Sequence, residues 1–206
     1  MSGYKVIRAL LGGPVRLIFR VKSEGCEKIP KDRGCIICAN HTSLCDVFVI
    51  SSASDVQVKY MAKKELFSVP VLKSIIKGLG AFPVDRKGGD VAAIRKTVSM
   101  IEEGNAVGIF PQGTRHPGEN PRDTQVRHGV GLIAYRAKCD IVPVYIKAKK
   151  NRVRPFRKSR IYVGEPIPYD SLGFESGGKE EYKRAAELIF DRICTIGENL
   201  EKEDKK

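Results

Sequence analysis

The stretch Cys35-Ile36-Ile37-Cys38-Ala39-Asn40-His41-Thr42-Ser43-Leu44-Cys45-Asp46 decides the fold. Its first five residues carry no strongly polar side chain, and a short apolar run closed by polar residues reads as a buried strand. The run ends at Asn40-His41, and residues 43–52 read as a helix with Thr42 or Ser43 as its cap. Toward the C-terminus the alternation recurs. Residues 56–61, 81–84, 106–110, 141–146 and 160–163 are strand-like, and 63–77 hold short helices broken near Pro70. Residues 90–103, 129–138 and 179–200 read as helices. In the last of these, Tyr182, Ala186, Ile189, Ile193, Ile196 and Leu200 share one face. Strands alternating with helices predict an α/β fold, a single-domain sandwich with a largely parallel or mixed central sheet flanked by helices. Residues 1–20 read as a basic amphipathic N-terminal segment, 21–200 as the domain and 201–206 as a charged tail.

Length and composition agree with this. The 206 residues suit one domain, and 42% hydrophobic with 30% charged residues excludes a disordered chain. Lys and Arg number 37 against 24 Asp and Glu, a formal charge of +13. Such a balance favours phosphate-bearing partners: nucleic acid, an anionic membrane or a phosphorylated substrate. The basic run over 147–160 lacks the interleaved aromatics of single-strand binders, and no helix-turn-helix or RNA-binding signature stands out. Cys35 and Cys38 form a C-x-x-C, but no second ligand pair follows at zinc-site spacing. The six cysteines therefore read as reduced core residues, with no metal site. No run reaches the ~20 apolar residues of a membrane span. Instead, Arg8, Arg16 and Arg20 alternate with apolar residues in a pattern that suits docking on an anionic membrane surface at its cytoplasmic face, with no transmembrane helix.

In α/β sheets, sites gather at the carboxyl ends of strands. Three such ends here are polar: Asn40-His41, Asp85-Arg86, and Pro111 to Arg115. Asp46 stands five residues after His41, where the start of the next helix can bring its carboxylate to the imidazole. A carboxylate on one ring nitrogen fixes the tautomer and frees the other nitrogen to take a proton. Equally, His41 can be a histidine at a helix start with Asp46 as the helix-dipole partner. No G-x-S-x-G nucleophile motif is present, so a His–Asp pair would act directly on a substrate hydroxyl. Gly113 allows close backbone approach, and Arg115 and Arg86 are candidate phosphate ligands.

Taken together, these blocks resemble those of the glycerolipid acyltransferases. Asn40-His41-x4-Asp46 resembles their N-H-x4-D motif, and Gly80-x-x-Pro83-Val84-Asp85-Arg86 their second block. Phe110-Pro111-Gln112-Gly113-Thr114-Arg115 resembles F-P-E-G-T-R, and Val142-Pro143-Val144-Tyr145 the fourth block. The type is similar to bacterial lysophosphatidate acyltransferases. The resemblance implies transfer of a fatty acyl group from acyl-CoA or acyl carrier protein to the hydroxyl of lysophosphatidate, making phosphatidic acid without metal or other cofactor. It implies His41 as general base and Asp46 as its orienter. Asn40, Arg86, Gln112, Gly113, Thr114, Arg115 and Pro143 would form the substrate site, with the two Arg on the phosphate. Gln112 departs from the usual Glu, which bears on the acceptor. Acylation of glycerol 3-phosphate or another lysolipid, or non-catalytic binding of a lipid phosphate, are the competing readings.

Overall fold

The computed structural model describes residues 12–68, 70–78, 80–84 and 90–203. Strand β2 is the centre of a sheet whose described strands are β1 (Val21–Glu24), β2 (Cys35–Ala39), β3 (Val58–Lys63), β4 (Ala81–Val84), β5 (Ala106–Ile109), β6 (Ile141–Ala148) and β7 (Ser159–Val163). Their order is β1-β7-β6-β2-β5-β3-β4. Neighbours run parallel except β6 and β7, which are antiparallel. The expected strands are present with ends shifted by one or two residues, and β1 is an addition. Its four residues alternate half-buried and exposed, too short a pattern to distinguish from a loop in sequence.

Every residue of β2 is buried, because helices cover both faces. C-terminal to a helical stretch before β1, the described α-helices are α1 (Asp46–Ala53), α2 (Pro70–Gly78), α3 (Asp90–Glu102), α4 (Gly129–Ala137) and α5 (Lys179–Glu203). On one face Ile36, Cys38, Val107, Ile109, Ile141 and Tyr145 meet apolar side chains of α3, α4 and α5. On the other, Cys35, Ile37, Ala39, Val142, Val144 and Ile146 meet α1 and Phe19. Each fully buried Ile contributes roughly 1.5–3 kcal/mol. Residues 12–18 are helical, and Val15 and Phe19 pack into the second layer.

The pleat settles the C-x-x-C. Cys35 and Cys38, three apart on a strand, belong to opposite layers, so they cannot ligate one ion or pair with each other. All six cysteines are free. Burial pushes the Cys35 and Cys139 thiols up to about 12, Cys194 up to about 11, and Cys38 well above its ordinary value. Among the described residues no helix is long and apolar enough to cross a membrane.

Candidate active site

The turn after β2 departs from the expected helix start. Residues 43–52 do not form one continuous helix; α1 begins at Asp46. The cause is the Asp46 side chain, which reaches back over the turn. It accepts hydrogen bonds from the Thr42 N–H at 2.6 Å, the Ser43 N–H at 2.8 Å and the Thr42 hydroxyl at 3.0 Å. These bonds hold residues 42–43 in a non-helical turn ahead of the helix. The carboxylate is wholly buried and also meets His41 Nδ1 at 2.8 Å. Four donors thus surround one carboxylate, which satisfies a buried charge. With Nδ1 facing a carboxylate it carries the proton, and Nε2 is the basic nitrogen. Nε2 has no hydrogen-bond partner among the described residues, and the side chain is 17% exposed.

The imidazole also rests on a ring. Phe110, at the end of β5, stacks on His41 with centroids 3.9 Å apart and planes 13° apart. Tyr60 of β3 lies 6.4 Å beyond Phe110, and there is room for it because Gly108 has no side chain to collide with its ring. The stacked ring fixes the plane of the imidazole. Phe110 therefore belongs with the candidate site, although in the sequence it reads as the last residue of a strand that opens a motif, with no contact to His41 implied.

Two expected substrate contacts have other tasks here. Asn40 is wholly buried. Its amide donates to the Ile146 carbonyl at 3.1 Å and accepts from the Ile146 N–H at 2.7 Å, continuing the β2–β6 ladder through a side chain. Gln112 is 3% exposed. Its Oε1 accepts from the His41 N–H at 2.6 Å and its Nε2 donates to the Thr124 hydroxyl at 2.8 Å. That hydroxyl donates on to the Pro121 carbonyl at 2.7 Å. Gln112 is thus a strut between the histidine turn and the loop before α4. Pro143 is displaced as well. It shares the pleat phase of Ile141 and Tyr145, so it faces α5 and lines a cavity of about 390 Å³ with Arg192, Ile196 and Asn199. None of that cavity's lining residues comes from the His41 or Gly113 turns.

The phosphate candidates divide. Gly113 has φ +70°, Thr114 and Arg115 are exposed beside it, and the His116 N–H donates to the His41 carbonyl at 2.9 Å. Arg115 is thereby carried on a turn tied to the histidine turn. Arg86 and Arg8 lie outside the described residues. Arg127, not chosen from the sequence, has its N–H on the Pro111 carbonyl at 2.9 Å, and its side chain covers Gly113 so closely that a Cβ there would sit 2.5 Å from its Cδ. His116 faces Glu119 through Nδ1 at 3.1 Å on the surface, and His128 caps α4 without a side-chain bond.

Comparison with known proteins identifies the family. The family model described as Acyltransferase matches residues 20–147. A 1-acyl-sn-glycerol-3-phosphate acyltransferase of Bacillus subtilis is 34% identical over 97% of this chain and 96% of its own length. One from Streptococcus pneumoniae is 29% identical over 87% of this chain and 66% of its own length. The crystal structure of the 1-acyl-sn-glycerophosphate (LPA) acyltransferase PlsC from Thermotoga maritima superposes with a TM-score of 0.63 at 25% identity, covering 96% of this chain and 84% of that one. With the family's matched span running from the N-terminal edge of the sheet through the histidine turn to the end of β6, this chain is an enzyme of the acyltransferase family.

Proposed function

We propose that the protein transfers a fatty acyl group from a thioester donor, acyl-CoA or acyl carrier protein, to the free hydroxyl of lysophosphatidate, giving phosphatidic acid at the surface of an anionic membrane. The observation that carries the reading is the His41–Asp46 pair: Nδ1 held at 2.8 Å by a buried carboxylate, Nε2 left open at the protein surface. The acceptor hydroxyl gives its proton to Nε2 as its oxygen attacks the thioester carbonyl carbon. The tetrahedral intermediate collapses, the C–S bond breaks, and the departing sulfur takes the proton back from the imidazolium. No acyl-enzyme is needed. Asp46 stabilises the transient cation, and Phe110 fixes the ring plane. Arg115, with Arg127 beside Gly113, supplies positive charge for the acceptor phosphate on the turn bonded to His41. The similarity to acyltransferases acting on 1-acyl-sn-glycerol 3-phosphate, together with that cationic turn, supports this acceptor.

The test is transfer from labelled palmitoyl-CoA to lysophosphatidate in anionic vesicles, with His41→Ala alongside. Transfer in the wild type and none in the variant is expected. If a folded wild type transfers nothing, even with a carrier-protein donor or with glycerol 3-phosphate as acceptor, the proposal is wrong.

A further inference from the structure

We propose that the turn joining β6 to β7 is a membrane wedge, with Phe156 entering the acyl region of an anionic bilayer beside Leu17 and Ile18. The inference rests on the proposed reading, in which the acceptor is a bilayer amphiphile. Phe156 is 77% exposed and Leu17 80% exposed, while most other large apolar side chains among the described residues are covered. The two segments are joined: the Phe156 N–H donates to the Ile18 carbonyl at 2.6 Å, and the Ser159 N–H to the Phe19 carbonyl at 3.1 Å. Phe156 has φ +62°, a conformation that costs a bulky residue about 1–3 kcal/mol. An aromatic ring is thus kept in solvent on strained backbone, although glycine would fit better and expose less apolar surface.

Charge identifies the occupant. Residues 12–23 and 147–160 contain no Asp or Glu. Arg20, Arg152, Arg154, Arg157 and Lys158 are exposed around the apolar tip, without an acidic partner among the described residues. A ring of cations about an aromatic tip fits anionic headgroups above acyl chains, each cation near the surface adding about 1 kcal/mol. The base of the same turn touches the catalytic turn. Val153 is buried and its N–H donates to the Thr42 hydroxyl at 3.3 Å, while the Asn151 carbonyl accepts from the Gly118 N–H at 3.1 Å. A bilayer gripped by Phe156 is therefore held at a fixed offset from the His41 turn.

The protein contains no tryptophan, so Phe156→Trp creates a single reporter. On phosphatidylglycerol vesicles its emission is expected to shift to the blue and to be quenched by brominated acyl chains, less so in high salt. Val91→Trp, at an exposed site of α3, is the unquenched control. Phe156→Gly removes the ring and relieves the backbone. It should melt no lower than wild type, bind vesicles about tenfold more weakly or worse, and lose transfer to vesicle-borne lysophosphatidate. Transfer to a dissolved short-chain lysophosphatidate should persist. An unquenched Phe156→Trp overturns the wedge, as does a shift produced by an acidic carrier protein but not by vesicles. A quenched tryptophan in a protein without acyl transfer keeps the wedge and refutes the enzymatic reading instead.

Discussion

Replacing Asp46 by Asn separates charge from shape at the proposed base. The asparagine carbonyl can take the Oδ2 position, where it still accepts from His41 Nδ1, Thr42 N and Ser43 N at the 2.6–2.8 Å now observed. The new amide meets the Thr42 hydroxyl, now 3.0 Å from Oδ1, and that hydroxyl can turn from donor to acceptor. Orientation and tautomer of His41 survive. What is lost is the negative charge. Bonds to a charged acceptor are worth about 1.5–3 kcal/mol and neutral ones about 0.5–1.5, so the three Oδ2 bonds weaken by about 3–4 kcal/mol together. Release from the several-kcal/mol cost of burying an ion offsets most of this. The net destabilisation should be at most about 2 kcal/mol, a Tm fall of a few degrees. The imidazolium formed in the transition state loses its counter-charge, and kcat should fall by roughly 10²–10⁴-fold, the range of general acid–base contributions. Urea unfolding and single-substrate kinetics on the same preparations check both. A folded Asp46→Asn enzyme within threefold of wild-type kcat would refute the counter-charge role.

Three further outcomes are expected. Gln112→Ala removes a strut between the His41 N–H and the Thr124 hydroxyl, leaving the half-buried His41 N–H unpaired and a void in place of a buried side chain; it should cost about 2–4 kcal/mol in urea unfolding, whereas Gln112→Glu keeps the acceptor for His41 and stays folded. Gly131→Ala would drive a Cβ into the Tyr182 carbonyl where α4 crosses α5; since that atom is helix backbone, the variant should melt well below wild type, by a margin set by about 1–3 kcal/mol of overpacking. Glu181 accepts the Glu175, Ser176 and Gly177 N–H groups at 3.0–3.3 Å, which hold its carboxyl below the ordinary value. Its stabilising effect is therefore present above the unfolded value of about 4.3 and lost as pH falls through the folded one. Wild type should be more stable than Glu181→Gln at pH 7, and the gap in Tm should close toward pH 3.

The strands were legible because each central one is a continuous apolar run, as burial on both faces requires. Helix α5 was legible from its stripe at 3.6-residue spacing. What sequence spacing could not carry is direction and partnership. Asp46 reads as a residue inside a helix, yet its side chain turns back and moves the helix start to its own position. Pro143 belongs to a motif with Val142 and Val144, but alternation on the strand sends it to the opposite layer from them. Gln112 has its two partners at His41 and Thr124, one of them 71 residues away, and nothing local marks an amide as a strut. Phe110 reads as strand, because a stacking partner is chosen by the sheet order that sets β5 beside β2.

The pushed-up thiols bear on the thioester donor proposed above. An acyl thioester will pass its acyl group to any thiolate it meets, and only the thiolate attacks. A protein with six free cysteines working on thioesters could acylate itself at every encounter. Burial holds Cys35, Cys38 and Cys139 protonated at neutral pH and away from solvent. Self-modification at these positions is closed off by the same packing that forms the sheet, so in the proposed reaction the acyl chain is kept for the acceptor hydroxyl.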